Sequence, residues 1–204
     1  MEAILIHGMG RTPAAMSILA ARLSVAGIRP HLFGYSVTFE RWDNVIQRYK
    51  KFIEKNIGAG TYIIVGHSLG TVITRAALPK LKHKPGHVFF LAPPSHVCMA
   101  ARTFAHQPFI RLFMGEIGKV LVNEPFMESL PLPEMPAKIY CGTAGPRGRY
   151  SPFGEEPNDG LLTIKETILP GVQIQEVHAL HTFIMNSKLV TEDIVKIAKL
   201  IPME

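Results

Sequence analysis

Residues 61–79 constrain what this chain can fold into more than any other stretch. Thr61-Tyr62-Ile63-Ile64-Val65 is a β-branched and aromatic run without a charge. It is followed by Gly66-His67-Ser68-Leu69-Gly70, and apolar and small residues then continue to Leu78 before Pro79. An uncharged run of this kind suits a central strand buried on both faces, which is the state of strands in parallel sheets covered by helices. The residues after it read as a helix that Pro79 ends, since proline lacks the N–H a helix interior requires. Between strand and helix stands a serine with a glycine two residues to either side. A sharp strand-to-helix turn needs such glycines, because a Cβ there clashes with neighbouring backbone. A Gly-x-Ser-x-Gly segment alone is also compatible with a plain glycine-rich turn.

The remainder of the chain alternates short apolar runs with amphipathic stretches, the pattern of parallel strands joined by crossover helices. Ile4-Leu5-Ile6 reads as the first strand. Thr12 is placed to cap a helix with Pro13 at its first position; Met16, Leu19, Ala20 and Leu23 share one face, and Gly27 ends it. Residues 28–35 read as a second strand. From Asp43 to Ile57 the residues Val45, Ile46, Tyr49, Phe52 and Ile53 recur at helical spacing, with Arg48, Lys50, Lys51 and Glu54 opposite. Further strands are expected at His87–Leu91, Lys138–Cys141 and Gly171–Val177, and Thr191 is placed to cap a closing helix whose buried face is Ile194, Ile197, Ala198 and Ile201. Two proline-rich segments interrupt the alternation, 92–136 and 142–158. Long insertions at strand ends of an α/β domain are where function usually sits.

These elements predict an α/β fold of three layers: about six mainly parallel strands flanked by helices, with a helical insertion after the fourth strand. At 204 residues and 47% hydrophobic composition, one domain over 1–204 is expected, with 95–136 as the insertion. Cys98 and Cys141 cannot make a disulfide framework and have no metal-ligand spacing around them. His83 and His87 are separated by Pro85-Gly86 and cannot form a helical ligand pair, so no metal or organic cofactor is implied. The formal charge of +6 favours anionic surfaces, but the basic residues are scattered, and the densest cluster, Lys80 to Lys84, reads as a solvated helix end. No nucleic-acid module is recognisable. The chain opens directly on a core strand, without a leader pattern, and nowhere do about 18 apolar residues run together. A soluble, cytoplasmic protein is expected; the oligomeric state is not readable.

A hydroxyl becomes a nucleophile when a base takes its proton and the oxygen is presented unhindered. Ser68, at the turn described above and ahead of a helix N-terminus that favours negative charge, meets the second condition. Of nine histidines, His178 and His181 follow the last strand, where such a fold delivers a base to the nucleophile. His181 is preferred because it falls on the loop, whereas His178 adjoins Val177. The third group must be a carboxylate on the loop after the penultimate strand, to orient the histidine and stabilise its cation. Asp159, in Asn158-Asp159-Gly160, fits; Glu155, Glu156 and Glu166 compete with it. Backbone N–H groups for a developing oxyanion are expected from Leu69 and, in the loop His7-Gly8-Met9-Gly10, from Met9.

At these residues the chain resembles the α/β-hydrolase superfamily, and more closely its small bacterial lipase and esterase-like members, which lack the usual first two strands. The resemblance is carried by His7 to Pro13, Gly66 to Gly70, Leu91-Ala92-Pro93-Pro94, Asn158-Asp159-Gly160, Leu169-Pro170-Gly171 and His181-Thr182-Phe183. It implies Ser68 as nucleophile, Asp159 as acid, His181 as base, and Met9 and Leu69 as oxyanion donors. The expected activity is cleavage of small-molecule carboxylic esters, lipid-like ones included. A thioesterase or acyltransferase would use the same three residues, and a binding module could keep the fold without the chemistry. After Pro94 the chain continues as Val97-Cys98-Met99-Ala100-Ala101, more apolar than is usual in lipase-like relatives. Phe109, Leu112, Phe113, Ile117, Val120 and Leu121 recur at helical spacing within 99–122. They predict either a core-facing helix or a wall or lid over an acyl pocket.

Overall fold

The computed structural model describes residues 1–99 and 115–202. Six strands, β1 (Glu2–Ile6), β2 (Arg29–Phe33), β3 (Tyr62–His67), β4 (His87–Leu91), β5 (Ala137–Gly142) and β6 (Gln173–Val177), form one sheet in the order β2-β1-β3-β4-β5-β6. Every neighbouring pair is parallel. The run that reads as a doubly buried strand is one: all six residues of β3 are buried, between β1 and β4. The lateral strands β2 and β6 are more exposed and carry polar residues.

Parallel strands require crossovers, and right-handed crossovers place the helix on a face set by the direction of travel. The chain goes from β1 outward to β2 through α1 (Ser17–Val25), then back past β1 to β3 through α2 (Trp42–Ile57) and onward to β4 through α3 (Leu69–Ala77). Helices α2 and α3 pack on each other, and α1 packs against the closing helix α6 (Lys188–Ala198). Reversal of travel between β1 and β3 opens a crevice at their carboxyl ends, the place where ligands bind in open α/β sheets. Ser68 and the loop after β1 both lie at that point.

Local chemistry accounts for most boundaries. Pro13 starts a single 3₁₀ turn (Pro13–Met16) that leads into α1, but the Thr12 side chain makes no capping bond to it, and Gly27 takes the left-handed backbone (φ 82°) that ends α1. The closing helix begins four residues earlier than Thr191 predicts. Its cap is Ser187, whose hydroxyl accepts from the Val190 N–H at 3.4 Å, while Thr191 sits inside the helix and donates to the Ser187 carbonyl.

Of the insertion after β4, residues 115–129 are helical apart from Asn123. It contains α4 (Gly115–Lys119), a 3₁₀ turn (Val120–Val122) and α5 (Glu124–Ser129), the last capped by Asn123 on the Phe126 N–H at 3.1 Å. Ile117 and Leu121 are buried in the core, as a core-facing helix requires. Phe109, Leu112 and Phe113 of the expected lid lie outside the described residues. The insertion meets the start of α2, where the Phe126 ring stands edge-on to Trp42 at 5.1 Å and Glu116 accepts from the Trp42 N–H.

Helix α6 is fastened to β5 by a buried polar cluster. Lys138, with a side chain 8% exposed, and the Tyr140 hydroxyl both donate to one oxygen of Asp193, at 2.5 and 2.7 Å. Burial alone would raise the Asp193 carboxyl, but these two bonds and the charge of Lys138 outweigh it and hold it below the usual carboxylate range. Because the folded value is depressed, the contribution is complete above the ordinary carboxylate range and is lost as pH falls through the folded value. Asp193→Asn removes the negative charge opposite Lys138 in this partly exposed pair while its amide oxygen can still accept one hydrogen bond, a change that costs about 1–3 kcal/mol. In a chain of this size that lowers the melting temperature by roughly 2–12 °C. Thermal unfolding at neutral pH checks this; a shift of under about 2 °C would contradict it.

Candidate active site

Ser68 follows β3 directly and has φ 49° and ψ −121°, a backbone that residues with a Cβ rarely adopt and that costs on the order of 1–3 kcal/mol. Three close approaches enforce it. A Cβ on Gly66 would lie 3.2 Å from the backbone of Gly70 and Thr71, and one on Gly70 would lie 2.6 Å from the His7 carbonyl oxygen. The Ser68 N–H is held by the Leu91 carbonyl at 2.9 Å. A serine at a helix N-cap ordinarily turns its hydroxyl back onto the first free N–H groups. Here the side chain makes no capping bond, and the Ser68 carbonyl instead receives the Thr71 N–H and hydroxyl. The Ser68 hydroxyl is therefore not spent on its own helix.

Strand register delivers the loop after β1 to the same place. Ile6 pairs with Gly66, so His7-Gly8-Met9 runs alongside His67-Ser68. Gly8 is in such close contact that an added Cβ would stand 3.0 Å from Ser68 Cβ and 2.8 Å from His67 Nδ1. His7 anchors the loop from behind. It is fully buried and stacked on Tyr35 at 4.5 Å; its Nδ1–H donates to the Gly8 carbonyl, its Nε2 accepts from the Tyr35 N–H, and its carbonyl accepts from the Tyr35 hydroxyl. Burial, only partly offset by the bond to Gly8, lowers the His7 pKa and keeps the ring neutral in this tautomer. Among the described residues, neither the Met9 N–H nor the Leu69 N–H has an acceptor.

The loops after β5 and β6 bring Asp159 and His181 together. Asp159, 1% exposed, accepts from His181 Nδ1 through Oδ2 at 2.7 Å, and its main-chain carbonyl accepts from the His181 N–H at 2.8 Å. Its other oxygen receives the N–H groups of Leu161 and Leu162 at 2.9 and 2.7 Å, so both carboxylate oxygens are fixed. Asn158, wholly buried, braces the turn by donating to the Pro146 and Glu156 carbonyls and accepting from the Gly160 N–H. Gly142 and Gly145 let the segments close, because a Cβ on Gly142 would be 2.6 Å from Asp159 Cβ and one on Gly145 would overlap Asn158.

The competing residues are placed elsewhere. His178 is exposed beyond the end of β6, and Glu155 is exposed. Glu156 pairs with Lys165. Glu166 forms a capping box with Thr163, and it fastens the loop after β4 by accepting from the Met99 N–H while its carbonyl takes the Ser95 N–H and hydroxyl. His67, next to the nucleophile position, is a further site residue. Its ring is 2% exposed and 5.0 Å from the ring of His181, and Nε2–H donates to the His181 carbonyl at 3.0 Å. Nothing local in the sequence signals that bond, because its partner lies 114 residues away.

No family model matches this chain, and no curated protein matches it by sequence. Solved structures do. The mature form of the Bacillus licheniformis lipase BlEst2 superposes with a TM-score of 0.73 at 17% identity, over 96% of this chain and 91% of that one. A pyrethroid hydrolase from Sphingobium faniae JZ-2 gives 0.67 at 15% identity, over 98% of both chains. An extracellular alpha/beta-hydrolase from a Paenibacillus species gives 0.64 at 16%, over 96% of this chain and 98% of that one. With the parallel sheet and its flanking helices, these similarities establish that the chain has the α/β-hydrolase fold. No helix among the described residues is long and apolar enough to cross a membrane.

Proposed function

We propose that this chain, acting as one domain, is a serine hydrolase of small-molecule carboxylic esters, with Ser68 as nucleophile, His181 as base and Asp159 as its orienting acid. The observation that carries this reading is the buried 2.7 Å contact of His181 Nδ1 with Asp159 Oδ2, at the carboxyl ends of the strands, the side on which Ser68 stands in its strained turn. A histidine that donates from Nδ1 to a carboxylate keeps Nε2 as the basic nitrogen, the tautomer needed to take a proton from a serine. Ser68 Oγ attacks the ester carbonyl as its proton passes to His181 Nε2. The oxyanion is received by the N–H groups of Met9 and Leu69, and each such donor contributes on the order of 10²- to 10³-fold in rate. His181 then protonates the leaving alkoxide, and an acyl group remains on Ser68. Water, deprotonated by the same nitrogen, repeats the sequence and releases the acid.

Two of the solved structures of similar fold are a lipase and a pyrethroid hydrolase, which agrees with an ester substrate. Leu180 and Phe183, 40% and 56% exposed on either side of His181 in sequence, supply apolar surface beside the proposed base. We therefore expect an apolar acyl group. A series of p-nitrophenyl esters tests both levels of the proposal. Turnover should be measurable and should rise from acetate to longer chains. A steady fall from acetate onward would contradict the apolar acyl site, and the absence of hydrolysis at any length would contradict the esterase reading.

A further inference from the structure

Three loops of this site come from strands far apart in the chain, and one side chain touches two of them from the third. His67 is bonded covalently to Ser68. Its Nε2–H donates to the main-chain carbonyl of His181, and its ring lies 5.0 Å from the His181 ring. On the other side its Nδ1 faces Gly8, closely enough that a Gly8 Cβ would stand 2.8 Å away. Nδ1 is buried and has no hydrogen-bond partner. A buried acceptor without a partner costs about 1–3 kcal/mol. The ring therefore sits where it does because of the Nε2 bond and the packing around it, not because both nitrogens are satisfied.

We infer that His67 is a positioning residue: as a neutral Nε2–H donor it sets the His181 main chain, and packed on Gly8 it sets the proposed oxyanion loop, each relative to Ser68. The inference rests on the hydrolase reading above, since it assigns His67 to the same reaction. The role requires the uncharged ring. Burial, with the neighbouring His181 next in weight and Arg11 and His7 adding to it, holds the His67 pKa well below the usual histidine range, and the bond to the His181 carbonyl only partly opposes them. A cation would place a second N–H, on Nδ1, against Gly8 with nothing to accept it.

The role also defines which substitution restores it. Glutamine carries its amide nitrogen the same number of bonds from Cβ as histidine carries Nε2, so His67→Gln can still reach the His181 carbonyl. Methionine has similar length and no donor. Misplacement of a catalytic group by about 1 Å costs on the order of 10²-fold, so His67→Met is expected to lose about that factor in kcat. KM should change little, because the side chain is 2% exposed and offers almost no surface to a substrate.

The test compares the rate at which a fluorophosphonate modifies Ser68, together with kcat and KM on one p-nitrophenyl ester, in the wild type, His67→Met and His67→Gln. Should His67→Met fail to fold, His67→Asn replaces it, because its amide stops one methylene short. The inference expects labelling and kcat to fall together in the variant without the donor and to recover to within a few-fold in His67→Gln. Equal rates in all three proteins would overturn it, as would an equal loss in both variants, which would assign the residue to packing alone. A wild-type protein that does not label would instead overturn the hydrolase reading and the inference with it. The two failures therefore differ in whether the wild type reacts.

Discussion

Ser68→Ala is expected to lower ester turnover by about 10⁶-fold and to leave the stability of the protein almost unchanged. The two halves of that expectation have separate causes. Loss of Oγ removes the atom that forms the acyl-enzyme, and the residual rate is what the oxyanion donors and substrate binding supply on their own. At about 1.36 kcal/mol per tenfold, the loss corresponds to about 8 kcal/mol of barrier. Stability is a different matter, because the Ser68 side chain makes no capping bond to its own helix. The strain at φ 49° is a property of the backbone and is the same for alanine as for serine. The substitution should therefore cost no more than about 0.5 kcal/mol, as for positions without a buried bond to lose. A variant that loses turnover and melts many degrees lower would mean that Ser68 is a structural residue.

Asp159→Asn should lower kcat by about 10⁴-fold, and the hydrogen bonds at the carboxylate explain why so conservative a change is so damaging. One oxygen accepts from the N–H groups of Leu161 and Leu162, and the other accepts from His181 Nδ1. An asparagine must keep its oxygen on the two backbone donors, which places its NH₂ against Nδ1. That nitrogen can then only accept, so the imidazole proton moves to Nε2, the atom that has to be basic. The ring stays where it is and carries the wrong tautomer. Steady-state kinetics on a p-nitrophenyl ester would check the size of the loss, and a loss below about tenfold would contradict the orienting role.

The sheet was legible because its strands are either uninterrupted apolar runs or sit between clear breakers, as β3 does between Gly60 and the serine turn. The helices were legible from their faces, with boundaries displaced where two caps compete, as Ser187 and Thr191 do. The placement of Glu166 could also have been read. Thr163-x-x-Glu166 is the spacing of a capping box, which commits that carboxylate to a helix start. The bonds made by His7 and His67 could not be read in this way. Their partners, Tyr35 and the His181 carbonyl, are 28 and 114 residues away, and only the register of β1 and β3 and the path after β6 bring them near. Of the insertion, proline content marked the place, and its internal helices follow from local caps such as Asn123.

The claim on which the rest depends is that Ser68 is made nucleophilic by His181. The most direct measurement is the mass and position of the adduct formed with a fluorophosphonate at neutral pH, in the wild type and in His181→Ala and His178→Ala. One adduct on Ser68 is predicted, formed at the wild-type rate in His178→Ala and at least about 10³-fold more slowly in His181→Ala. Modification elsewhere, or a His181→Ala protein that labels as fast as the wild type, would contradict the account.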